Sequence, residues 1–225
     1  MTTASTASNL PYRDNRLLHW LPGGVLLVVA LAAYHPDAEF DLALENGLVV
    51  TCFAPLFILT YRRFAFSDLS YLLLFAFFCL HEYGAHFKYS DVPIGEWLKP
   101  LLHTQRNHYD RIAHFSFGFL LAYPMREIAM RALQVRGRWL YYLPVECTLA
   151  LSAIYEILEA LAANLLTPER GEEFVGMQGD MWDSQEDMFM AALGSAIAVL
   201  IIAALVKRRN ARDAKNRVAA YAAVK

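Results

Sequence analysis

The stretch Gly179-Asp180-Met181-Trp182-Asp183-Ser184-Gln185-Glu186-Asp187 runs without a break into Met188-Phe189-Met190-Ala191-Ala192-Leu193-Gly194-Ser195-Ala196-Ile197-Ala198-Val199-Leu200-Ile201-Ile202-Ala203-Ala204-Leu205-Val206. The second part is long and apolar enough to cross a bilayer as a helix. An acidic cluster is therefore fixed at one end of a membrane helix. Ser184, followed three residues later by Asp187, reads as a capping box that satisfies free N–H groups at the helix start. That accounts for Ser184 and Asp187 and leaves Asp180 and Asp183 without a structural reason.

Working outward, the whole chain of 225 residues is 57% hydrophobic and 19% charged, with a mean hydropathy of +0.29. A soluble domain carries about 25% charged residues, so the membrane class is set before any motif is read. Cys52, Cys79 and Cys147 all fall in apolar stretches and show no metal-ligand spacing. Their odd number and placement argue against a disulfide framework or a zinc ribbon.

The pattern predicts an all-α membrane protein, a single bundle of six transmembrane helices. Residues 1–16 form a polar Ser/Thr/Ala-rich tail, expected to be disordered. The six spans fall at about 17–34, 42–61, 69–87, 112–130, 139–165 and 188–206, and a basic tail occupies 207–225. The first run also admits a signal-peptide reading, since Ala30-Leu31-Ala32 has the small-x-small form of a cleavage site. The longest connection, 88–109, contains a short helix at 94–102 suited to the membrane interface. No internal repeat or soluble domain is evident.

Lys and Arg cluster in alternate connections: Arg13 and Arg16, then Arg62 and Arg63, then Arg126, Arg131, Arg136 and Arg138, then the carboxyl tail. The positive-inside bias puts both termini in the cytoplasm. Glu45, Glu82 with His86, Asp110 with His114, Glu156 with Glu159, and 180–187 then all lie at outer ends of spans. An ionisable group at mid-helix costs about 2.5–3.5 kcal/mol on insertion scales, so several together call for mutual pairing, a wet cavity or a ligand. Glu82/His86, Asp110/His114 and Asp183/Asp187 are four apart, roughly 40° around a helix, and Glu156/Glu159 three apart, roughly 60°. Each pair thus shares one helical face, and the faces can converge on one cavity.

His81-Glu82-Tyr83-Gly84-Ala85-His86 is not a zincin motif, because histidines five apart point about 140° away from each other. A His/carboxylate site assembled from different spans remains open, and its oxygen-rich ligands would suit a divalent metal such as Mg²⁺, Mn²⁺ or Zn²⁺. The bland alternative is that these groups only satisfy one another. Asp110 can equally serve as an N-cap.

With these residues in hand, the chain resembles the YjdF family of bacterial inner-membrane proteins over about 17–207. The resemblance rests on Tyr61-Arg62-Arg63-Phe64, Asn107-His108-Tyr109-Asp110-Arg111-Ile112-Ala113-His114-Phe115, Tyr155-Glu156-Ile157-Leu158-Glu159 and 176–188. It implies a multi-pass inner-membrane protein and no particular reaction. A more distant resemblance is to VanZ-like membrane proteins, whose pattern is Asp-Lys/Arg-x-x-His, Glu-x-x-Gln and Asp-x-x-Asp-x-x-x-Asn. Asp110, Arg111 and His114 match its first part. Glu159 replaces the Gln, Asp183 and Asp187 are four apart, and the Asn is absent, so glycopeptide resistance does not transfer.

The first functional expectation is an enzyme or binding protein acting on a lipid-linked or envelope substrate at the outer leaflet. Asp110, His114, Glu156, Glu159, Asp183 and Asp187 form its reactive set, with His114 as proton shuttle. Arg111, Asp180, Glu82 and His86 form its binding set, Arg111 as the contact for an anionic headgroup. A small proton-coupled transporter and a structural or assembly protein are the other two readings. Membrane lipid is the expected partner. Nucleic acid is not, because topology and anionic lipid explain the basic tail.

Overall fold

The computed structural model describes residues 15–61 and 65–223, apart from the side chains of 52–61 and of 222–223. Arg62-Arg63-Phe64 of the family motif and nearly all of the amino tail lie outside the described residues. Among the described residues the chain is helical throughout, with no strand. In order come α1 (Arg16–Ala32), α2 (Glu39–Tyr61), α3 (Asp68–His86), α4 (Lys88–Asp91), α5 (Pro93–Leu102), α6 (Tyr109–Arg131), α7 (Trp139–Ala163), α8 (Pro168–Val175) and α9 (Asp183–Ala223). Their ends carry the expected chemistry. The side chains of Asn15, Ser67 and Thr167 accept from the first-turn N–H groups of α1, α3 and α8. His103 and Gly176, both in the left-handed region, stop α5 and α8.

Helix α6 is the axis of the bundle. It packs most extensively on α9, then on α7 and α3, while α1 lies on α3, α2 on α3 and α7, and α8 on α7. The α6–α9 approach is close because both helices present small residues to each other. Ala191, Gly194, Ser195 and Ala198 recur three to four apart on the buried face of α9. A Cβ on Gly118 of α6 would overlap the Ala191 carbonyl, and one on Gly194 would overlap that of Phe115. In lipid the hydrophobic effect does not drive helices together, and this kind of backbone approach supplies the packing energy instead. The opposite face of α9 exposes Leu193, Ile197, Leu200, Ile201 and Leu205, and α1 and α7 likewise expose Leu26, Leu27, Ile157 and Leu161. Large apolar residues outside and small or polar ones inside is the reverse of a soluble core.

By length and composition alone, α9 is the one helix among the described residues apolar enough to cross a membrane. Helix α6 carries Asp110, Arg111, Arg126, Glu127 and Arg131, but it is also the helix the others surround, which shelters its polar groups from lipid. At the end of α6 remote from Asp110, buried Glu127 accepts from the Ser67 backbone N–H at 2.9 Å, from the Ser67 and Ser70 hydroxyls, and from Arg131. Helix α9 does not stop at residue 206: the basic tail continues it through Ala223, with 207–221 exposed and Arg209 and Asp213 one turn apart at 4.0 Å. Its Ala, Arg and Lys content favours helix without any packing partner.

Candidate functional site

The cluster forms where the first turns of α6 and α9 meet the last turns of α7. His114, one turn after Asp110 on α6, places Nε2 3.6 Å from Asp110 Oδ1 and 3.2 Å from Glu156 Oε1 of α7. Its other nitrogen, Nδ1, lies 3.1 Å from Ser152 Oγ, one turn before Glu156. Asp187 joins from α9, and one ligand-type atom from each of Asp110, His114 and Asp187 lies within 4.8 Å of the other two. Glu156, Glu159, Asp183 and Asp187 are all buried, Asp187 to 1% exposure. Ser184, in the first turn of α9, hydrogen-bonds Glu156, so its hydroxyl serves the cluster.

Two arginines border this cluster on its Asp183 side. Buried Arg106 donates to the Met177 carbonyl at 2.6 Å and pairs with Asp183. Arg111 pairs with Asp180 and Glu186, each at 2.6 Å. No Lys or Arg among the described residues forms an ion pair with Asp110, Glu156, Glu159 or Asp187. The basic group in direct contact with Asp110 and Glu156 is His114. Asp187 Oδ1 and Glu156 Oε1 are buried without a hydrogen-bond partner. In a folded protein such atoms are rare and costly, because each forfeits its hydration.

A cavity of about 40 Å³ opens beside the cluster, lined by Glu45, Asp110, His114, Ser152, Tyr155 and Glu159 on its polar side. A buried water needs roughly 10–15 Å³, so the space holds a few waters or an ion and is far too small for a lipid headgroup. A second cavity of about 20 Å³ shares Glu45, Tyr89, Asp110 and Glu159 with it and extends beneath α8 to Asp41, Lys88 and Glu173. Lys88 and Glu173 are partly exposed and paired at 2.7 Å, so this second space leads toward the surface.

The other sequence candidates sit apart. His86 Nδ1 contacts the Ala32 carbonyl at 2.8 Å, tying α3 to the end of α1. Glu82 is fully buried and neither of its oxygens accepts a hydrogen bond. Neighbouring His81 meets the Tyr89 hydroxyl at 2.7 Å. Asp180 works as a turn: it accepts the Trp182 backbone N–H at 2.9 Å as well as Arg111. The Trp182 N–H first, then the Arg111 guanidinium, hold the Asp180 carboxyl below its ordinary value of 3.8. A depressed carboxyl stabilises the fold above that ordinary value and stops doing so as pH falls through the lower one. Trp182 emission, in a variant with Trp20, Trp97 and Trp139 changed to Phe, should therefore show a component with its midpoint below pH 3.8 that Asp180→Asn removes.

Sequence reasoning left out several partners. Arg106, which directly precedes the Asn107–Phe115 motif, is one of them. Asn107 is fully buried, donating to Val92 O at 3.0 Å and Glu96 Oε1 at 2.8 Å, while its backbone N–H donates to Gln178 Oε1 at 2.8 Å. It locks α5, the start of α6 and the 176–180 loop together, and the missing Cβ of Gly95 makes room for its amide. Ser152 was legible from its i−4 spacing to Glu156. Glu45 was placed at the outer end of its span but not in the site, where it accepts from the Tyr155 hydroxyl.

Residues 17–208 match a family described as "Predicted membrane protein (DUF2238)". The chain is similar to the inner membrane protein YjdF of Escherichia coli (strain K12), 39% identical over 149 residues that cover 66% of this chain and 71% of that protein. No solved structure matches. Neither match bears on the VanZ-like resemblance.

Proposed function

The chain belongs to the DUF2238 family of membrane proteins, and on that premise we propose that it crosses the inner membrane six times, through α1, α2, α3, α6, α7 and α9, with both termini in the cytoplasm. The Lys/Arg asymmetry supports this orientation, and the apolar side chains exposed on α1, α7 and α9 support lipid contact. In this arrangement the His114/carboxylate cluster lies near the outer surface. It binds or acts on a lipid-linked or envelope substrate that approaches from the outer leaflet.

The observation that carries this reading is Asp187 Oδ1, buried with no hydrogen-bond partner in the space around His114, beside a Glu156 Oε1 that meets only the His114 ring at 3.2 Å. A purely structural lock would satisfy its own polar atoms, as the Glu127 knot does at the other end of α6. The small cavity limits the reading: only a compact polar part of a substrate, or an activated water, fits beside His114. The bulk of a lipid-linked substrate would stay at the mouth. There α5 exposes Ile94, Trp97, Leu101 and Leu102, an apolar face suited to the interface.

Mass spectrometry of lipids that copurify with the protein tests this. The wild type should retain a lipid-linked species that His114→Ala and Glu159→Gln lose while keeping the wild-type melting midpoint. Equal retention by all three would contradict a binding role for the cluster.

A further inference from the structure

We propose that Asp110, His114 and Asp187, with Glu156 as fourth ligand, bind one divalent first-row cation of the Mn²⁺/Zn²⁺ class. This rests on the outward-facing pocket above and names what completes it. Three observations carry it. The donor atoms stand at separations that let them share one ion: His114 Nε2 is 3.6 Å from Asp110 Oδ1 and 3.2 Å from Glu156 Oε1, and the Asp110/His114/Asp187 trio stays within 4.8 Å. Ligands about 2.0–2.1 Å from a tetrahedral ion are separated from one another by about 3.3 Å, so the two measured edges from His114 are near that length and the edges to Asp187 close with side-chain movement.

The second observation is the orphaned Asp187 Oδ1, on a side chain 1% exposed, together with Glu156 Oε1. Asp183 lies within hydrogen-bonding reach of Asp187 and Glu156 Oε1 lies 3.2 Å from His114 Nε2, yet Asp187 Oδ1 still has no partner. The third is charge. Arg106 and Arg111 are taken up by Asp183, Asp180 and Glu186, so neither forms an ion pair with the inner carboxylates. A dication in the middle supplies the missing positive charge at the point where the lone pairs converge.

The donor set narrows the ion. One imidazole among carboxylates favours Mn²⁺ or Zn²⁺ over Mg²⁺, which prefers oxygen and keeps its waters. Ser152 Oγ, 3.1 Å from His114 Nδ1, would accept a hydrogen bond from Nδ1–H, fixing the tautomer that leaves the Nε2 lone pair free for the metal. Ser152 is thus a positioning residue, and removing it should weaken binding without removing a ligand.

The test uses purified, chelator-treated full-length protein titrated with MnCl₂ and separately with ZnCl₂, by calorimetry and by the metal-induced rise in melting midpoint. Wild type should bind one equivalent of at least one ion. Asp187→Asn and His114→Gln should lose affinity by on the order of 100-fold or more, and Ser152→Ala by about 10-fold. Glu186→Gln, outside the ligand set, should bind as wild type does. Melting midpoints of the metal-free variants separate lost binding from lost folding: a folded variant that fails to bind supports the site. No binding by wild type, or equal binding by folded Asp187→Asn, overturns it. The metal is measured without substrate, so the two readings fail separately. Lipid retention without metal overturns the cation alone, and metal binding without lipid retention overturns only the envelope reading.

Discussion

Replacing Arg106 with alanine should cost about 3–5 kcal/mol and sharply reduce the amount of folded protein in the membrane. The guanidinium is buried, bonded to the Met177 carbonyl and paired with Asp183, itself only 3% exposed. Removing one member of a buried pair strands the other charge away from water, and that penalty, more than the lost attraction, sets the size of the effect. Two comparisons identify the cause. Arg111→Ala removes a guanidinium whose partner Glu186 is half exposed, so it should cost about 1 kcal/mol or less. Asp183→Asn introduced into Arg106→Ala should restore much of the loss, because a neutral amide needs no cation. Melting midpoints in detergent for the four proteins decide it.

The second large effect belongs to the α6–α9 crossing. Gly118→Leu and Gly194→Leu should each prevent stable packing, because a Cβ alone already overlaps the Ala191 or Phe115 carbonyl, and neither obstacle is a side chain that can turn aside. Overpacking a core costs about 1–3 kcal/mol, and a backbone obstacle puts these changes at or above the upper end. Gly118 lies one turn beyond His114, and Ala191 one turn beyond Asp187, so the crossing also sets the spacing of the cluster. Gly118→Ala, the smaller intrusion, should therefore separate the α6 and α9 members of the cluster before it unfolds the protein. Reduced cation affinity with a partly retained melting midpoint is the expected result.

Much of this was legible in the sequence because two periodicities coincide. Residues 110/114, 156/159 and 183/187 each repeat at helical spacing, which was enough to place each pair on one face. That α6, α7 and α9 bring those faces together could only be guessed from span order. The sequence misled more where local chemistry had two readings. Ser184 looked like the cap of α9, but the helix already begins at Asp183 and Ser184 lies beside Glu156. Glu82 and His86, one turn apart beside the acidic theme, turned out to face other neighbours: His86 reaches α1, and Glu82 is buried outside the cluster. Arg111 looked free for an anionic headgroup and is held by Asp180 and Glu186, so a phosphate would have to displace them. The small-residue face of α9 was visible as Ala191, Gly194, Ser195 and Ala198, but nothing in sequence alone named α6 as its partner.

The orientation of the cluster is tested most directly by thiol labelling in a background where Cys52, Cys79 and Cys147 are replaced by alanine. Exposed Glu172, in α8 above the second cavity, and exposed Arg136, in the α6–α7 connection, are changed to cysteine one at a time. A membrane-impermeant maleimide should label Glu172→Cys in cells with a permeabilised outer membrane, and should reach Arg136→Cys only after the inner membrane is broken. The opposite pattern would place the His114/carboxylate cluster on the cytoplasmic side and contradict an outward-facing site.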